Sequence, residues 1–167
     1  VQKIIVRNAN LRWPIPEAIH AVTGQKIIGV ERRSKYLLLR FDIGTLLIHL
    51  GMSGTIRVID KNTPVAKHDH FDLVLESDQC LRLNDPRRFG AVLWFADDVD
   101  EQGLLTKLGP EPLSDDFSHG YLFAKAQKRK VPIKTFLMNN QILTFRVIML
   151  SSRLELDPPL QDNVNLN

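Results

Sequence analysis

About eight short apolar runs follow one another between Val1 and Phe95, most of them cut off within a few residues by glycine, proline, asparagine or aspartate. They are Val1–Val6, Ile27–Val30, Tyr36–Phe41, Thr45–Leu50, Thr55–Ile59, Phe71–Leu75, Cys80–Leu83 and Ala91–Phe95. Runs this short, rich in Val, Ile, Leu and Phe and bounded by turn residues, are strands. No β-α-β alternation separates them, so the pattern predicts an antiparallel sandwich or barrel. Tyr36–Phe41 and Thr45–Leu50 are nearly continuous in apolar residues, as expected of strands covered on both faces.

The spacing predicts few helices. Pro16–Val22, after the rigid Trp13-Pro14-Ile15-Pro16 and before Thr23-Gly24, reads as a short peripheral helix. Past Ala96 the pattern turns helical. Asp97-Asp98-Val99-Asp100 can cap a helix through Leu105, Leu108–Leu113 reads as a rigid linker, and Ser114-Asp115-Asp116 can cap a helix over Tyr121–Lys128. Pro132 suits the first turn of a helix to Met138. Beyond Asn140 the pattern degrades, and Pro158-Pro159 with the asparagines after it predicts a frayed end.

With 167 residues, 44% of them hydrophobic, the chain can bury one sizeable core. A single cysteine, Cys80, rules out a disulfide framework and a cysteine-rich zinc site, and no apolar run reaches membrane-spanning length. A soluble, reducing compartment is the expectation. The net charge of +3 permits a polyanionic partner without demanding one.

Asn84-Asp85-Pro86-Arg87-Arg88-Phe89-Gly90 lies between two strand runs and should form a tight loop, with Pro86 fixing φ and Gly90 opening angles closed to other residues. Two guanidiniums and a ring at its tip can grip phosphate and wedge between bases; they can equally be a solvated sheet-edge turn. Met52 sits between Gly51 and Gly54, either filling core or projecting from a strand end. His68-Asp69-His70 with His49 suggests a metal cluster. Successive strand residues face opposite ways, and no cysteine or carboxylate spacing accompanies them, so no metal is expected. Lys125, Lys128, Arg129 and Lys130 form either a solvated helix terminus or a phosphate-facing patch.

Six stretches taken together resemble the formamidopyrimidine-DNA glycosylase family of base-excision repair: Arg32-Arg33-Ser34-Lys35-Tyr36-Leu37-Leu38-Leu39, His49-Leu50-Gly51-Met52-Ser53-Gly54, Lys67-His68-Asp69-His70, Asn84–Gly90, Leu108–Ser114 and Phe136–Asn140. The resemblance implies a mainly β (α+β) fold, a two-sheet antiparallel β-sandwich of about eight strands with flanking helices, over residues 1–140. Residues 141–167 form a divergent tail where the family continues into a helix-two-turn-helix module and a four-cysteine zinc finger. It further implies a glycosylase and abasic-site lyase that removes oxidised purines from damaged double-stranded DNA, monomeric, cytoplasmic and nucleoid-associated. Met52, Arg87 and Phe89 match the side chains that enter the gap left by an extruded base. Lys35 matches a lysine that assists β-elimination, His68 a DNA-contacting histidine, and Arg129 lies where the family has a phosphate-binding lysine; Arg88 adds charge beside them.

The family's nucleophile is the α-amine of an amino-terminal proline, followed by a glutamate, and no such segment stands in this sequence. The expectation is a truncated or frame-disrupted member that does not excise bases and carries no zinc or other cofactor. A non-catalytic DNA-binding module and a non-functional remnant are the competing classes.

Overall fold

The computed structural model describes residues 1–96, 99 and 103–144. Eight strands build two four-stranded sheets: β1 (Lys3–Val6), β2 (Gly29–Arg33), β3 (Tyr36–Phe41), β4 (Gly44–His49), β5 (Thr55–Asp60), β6 (Asp69–Val74), β7 (Gln79–Asn84) and β8 (Ala91–Phe95). One sheet runs β1-β6-β7-β5, the other β2-β3-β4-β8, and all pairs are antiparallel. Of the two architectures the strand pattern left open, this is the sandwich.

The central strands show why their sequences are apolar throughout. Leu39 pairs with Leu46 and Leu37 with Ile48, while Leu38 pairs with Leu47 between them. Alternate residues face opposite sides of a sheet. Accordingly Leu39, Leu46 and Ile48 enter the inner core with Ile4, Phe71, Leu73 and Leu83 of the other sheet. Leu38 and Leu47 instead join Val99 and Leu105 in a second cluster on the outer face. Each such side chain contributes about 1.5–3 kcal/mol by leaving water.

The helical expectations are corrected in detail. Glu17–Val22 is a 3-10 helix rather than an α-helix, preceded by Pro16, and its Ile19 and Val22 plug the inner core. Two turns suffice to deliver those two side chains. The strand expected at Ile27–Val30 begins at Gly29 and runs on to Arg33. The helix expected from Asp97 through Leu105 falls partly outside the described residues; residues 103–107 are turns and bends, and Leu104, Leu105 and Leu108 cover the outer face without helix. α1 spans His119–Ala126 and is capped by Ser118, whose Oγ accepts from Tyr121 N at 3.1 Å. Ser114 was expected in that role, but its Oγ donates to Glu111 O at 3.0 Å, closing a turn. α2 covers Ile133–Leu137, one residue shorter at each end than expected, because Pro132 and Met138 are its caps and not part of its turns. Residues 141–144 pack back on the linker, where Thr144 N donates to Pro110 O at 3.0 Å and Asn140 O accepts from Gly109 N at 2.7 Å. The expected frayed end, 145–167, lies outside the described residues.

A charged cluster stiffens the first sheet. Arg82, fully buried, reaches both oxygens of Asp72 at 2.9 Å and donates to the carbonyls of Thr63 and Pro64. Burial pushes the Asp72 carboxyl up, yet hydrogen bonds from Arg7 and Arg82 outweigh it and hold the group below the usual carboxylate range. The polar loop 61–67 is thereby strapped to the sheet just before His68. Among the described residues no helix is long and apolar enough to cross a membrane.

Candidate nucleic-acid interface

Asp85 is fully buried, and its polar atoms collect three segments of the chain. Ser53 Oγ donates to Oδ1 at 2.8 Å and Gly90 N to Oδ2 at 2.7 Å. Asp85 N donates to His68 O at 3.0 Å, and His70 Nε2 donates to Asp85 O at 3.0 Å. A carbonyl can only accept, so His70 carries its proton on Nε2. The turn after β4, the turn before β6 and the β7–β8 loop therefore meet at one residue, the first and the last of them at its carboxylate.

Backbone packing draws two of these loops closer still. Gly51 has φ +60°, and a Cβ there would stand 2.5 Å from the Phe89 carbonyl. Gly90 does not supply the left-handed turn expected of it. Arg88, at φ 56°, does so, and Gly90 is required instead because a Cβ would press within 2.8 Å of His49 O and 3.0 Å of Asp85 Oδ2. The result is a rim of two closely packed loops on which Met52 (63% exposed) and Phe89 (48% exposed) are both open to solvent. Arg87 and Arg88 are exposed on the same loop, and the Arg87 guanidinium lies 5.7 Å from the Phe89 ring centroid. His68 is half-buried at the foot of the rim, its ring 6.3 Å from that of His70.

Lys35 occupies the two-residue turn joining β2 to β3, with Ser34 at φ 55°. That turn is braced from behind, since Glu111 Oε1 accepts from Ser34 N at 3.0 Å and pairs with Arg33 at 3.4 Å. Leu50 N donates to Lys35 O at 3.3 Å, tying the lysine to the Met52 turn. None of the hydrogen bonds that gather the rim reaches Arg129 among the described residues; it stands exposed just beyond α1, after Lys128 at φ 60°.

Four residues gain a role only from the structure: Asp85, Ser53, Glu111 and His49. Pro86 after Asp85 announced a bend, but nothing in the sequence announced a buried carboxylate. His49 lies against Tyr36 at 4.7 Å between ring centroids, and among the described residues its buried Nδ1 has no hydrogen-bond partner. Burial first, then the nearby charges of Arg12 and Lys35, lowers its pKa, with Asp85 opposing. Among the described residues no group of three His, Cys, Asp or Glu side chains is placed to hold a metal ion.

A buried anchor beneath exposed cations, a ring and a flexible thioether suits a polyanion whose apolar interior can be entered. The comparisons point the same way. The chain is 69% identical over 143 residues to the formamidopyrimidine-DNA glycosylase of Colwellia psychrerythraea and 53% identical to that of Alteromonas mediterranea, covering 86% of this chain and 53% of each relative. It thus spans about half the length of the curated relatives it matches. The structure of Lactococcus lactis formamidopyrimidine-DNA glycosylase, non-covalently bound to DNA containing an abasic site, superposes with a TM-score of 0.77 at 29% identity over 87% of this chain and 57% of that one. The family described as formamidopyrimidine-DNA glycosylase N-terminal domain matches residues 1–92, more than half of the 167. The chain therefore belongs to the formamidopyrimidine-DNA glycosylase family.

Proposed function

We propose that this chain is the DNA-gripping sandwich of a base-excision glycosylase and abasic-site lyase that acts on oxidised purines in damaged duplex DNA. The observation that carries this reading is the convergence on Asp85, which sets Met52 and the Arg87–Phe89 tip together on one rim. Removing a base from a duplex leaves a gap beside an orphaned partner. An apolar thioether and a ring can fill it, and a guanidinium can hydrogen-bond the partner. His68, Arg88 and Arg129 supply contacts along the backbone, where charge positions the duplex without reading its sequence.

Lys35 takes part in strand cleavage at an abasic site. Its ammonium lies near enough to His49 to depress that ring's basicity, so it belongs to the rim electrostatically. The protein works as a monomer, in the cytoplasm at the nucleoid, and this chain binds no structural zinc.

The test is fluorescence anisotropy of this 167-residue chain with two duplexes, one intact and one carrying a tetrahydrofuran abasic analogue. Salt-dependent binding that favours the gapped duplex is expected. Equal affinity for both would remove the gap-filling role, and no binding to either would overturn the reading.

A further inference from the structure

Between β1 and the 3-10 helix the chain makes a closed loop. Leu11 N and Ile15 N both donate to Ala9 O, at 3.1 and 2.9 Å, and Asn10 bridges Pro14. Ile15 is buried and roots the loop in the core. Its tip, Arg12-Trp13, points outward, with Trp13 38% exposed. The Arg12 guanidinium lies over the Trp13 ring, 4.7 Å from the centroid. Among the described residues no carboxylate pairs with Arg12. The backbone at the same residue is locked to the rim, because Arg12 N donates to Gly90 O at 3.0 Å.

We propose that Arg12 and Trp13 form a phosphate grip beside the Arg87–Phe89 wedge, in which Arg12 binds a DNA backbone phosphate and Trp13 holds the guanidinium in place. The inference rests on the DNA reading above. A guanidinium stacked on a ring keeps its N–H edges free, and those edges match a phosphate's oxygens. Stacking also restricts the side chain before the ligand arrives, so less conformational entropy is lost on binding. The hydrogen bond to Gly90 means that the grip and the wedge are parts of one rigid rim. A phosphate held at Arg12 therefore sets the depth at which Met52 and Phe89 meet the base stack.

The charge of Arg12 is felt at His49, in keeping with its place beside the rim. That provides a readout independent of DNA. In Arg12→Ala the His49 resonances, followed by NMR through a pH titration, should move to a higher midpoint than in the parent chain.

The binding experiment uses the 167-residue chain with the same two duplexes over a range of salt, with Arg87→Ala as a control. Arg12→Ala is expected to weaken both duplexes alike, by about tenfold, the loss of one charge-assisted hydrogen bond. The slope of log affinity against log salt should fall by about 1. Arg12→Lys should restore the slope but not all of the affinity. Trp13→Leu should weaken binding less, and should add nothing once Arg12 is gone. Parent-like affinity and slope in Arg12→Ala, with the parent chain and its Arg87 dependence intact, would overturn the grip. A loss confined to the gapped duplex would overturn it too, since a phosphate contact cannot sense a missing base. Absence of binding by the parent chain would instead bring down the DNA reading, and this inference with it.

Discussion

Ser53 and Asp85 stand 32 residues apart in the chain and 2.8 Å apart across the rim, and the carboxylate that accepts from Ser53 also accepts from the Gly90 amide. Because Asp85 and Gly90 are both buried, the Gly90 amide finds no water if the carboxylate is removed, whereas the half-buried Ser53 hydroxyl can. Asp85→Ala is expected to cost roughly 1–3 kcal/mol for the unsatisfied Gly90 amide alone, whereas Ser53→Ala, which removes a donor and not the acceptor, should cost about 1 kcal/mol. Urea denaturation of the three proteins measures the difference. Equal costs would mean that the Gly90 amide finds another partner. Asp85→Ala should also lower affinity for the gapped duplex, since Met52 and Phe89 lose their common anchor.

Arg87→Ala should weaken the gapped duplex more than the intact one, while Arg129→Ala weakens both alike. Arg87 stands beside the Phe89 ring on the rim, so it can act at an opened pair as well as at phosphate. Arg129 acts through counterion release alone. Anisotropy titrations at two salt concentrations separate the cases, and uniform loss for Arg87→Ala would reduce it to a supplier of charge.

His49 makes folding sensitive to mild acid. Its pKa in the folded chain lies below the ordinary 6.5, because burial and then the charges of Arg12 and Lys35 disfavour the imidazolium, against an opposing pull from Asp85. Between the lowered value and 6.5 the unfolded chain binds more protons than the folded one, so stability rises with pH through that window. The contribution is complete above 6.5 and is lost as pH falls below it. His49→Gln should flatten the dependence in denaturation curves collected from neutral to mildly acidic pH; an unchanged dependence would assign it to other groups.

Catalysis should divide at Lys35. Lys35 is the group on this rim proposed to act in strand cleavage, so its removal should be felt there rather than in binding. A pre-formed abasic site is already an electrophilic aldehyde, and slow nicking there is expected, lost in Lys35→Ala. Borohydride trapping on abasic DNA monitors the Schiff base. Nicking retained in Lys35→Ala by protein free of host enzymes would mean that another amine serves as nucleophile.

The strand count, the antiparallel pairing and the burial of β3 and β4 on both faces were determined by the sequence, because they follow from local alternation and from where glycine, proline and aspartate interrupt it. The Arg87–Phe89 loop, Met52 and the family membership were legible for the same reason: each lies in a contiguous stretch. The 3-10 character of Glu17–Val22 and the capping of α1 by Ser118 were not, since several polar residues near a helix start compete for one amide and packing chooses among them. Only the tertiary structure decided that Lys35 sits in a turn braced by Glu111, which lies 77 residues from Ser34 in the chain. It alone decided that Asp85 is the common acceptor, that His49 is surrounded by cations, and that Arg12 is bound to the wedge through Gly90. Hydrogen bonds and charges act through space between segments remote in sequence, and no local pattern records which carboxylate the fold will bury.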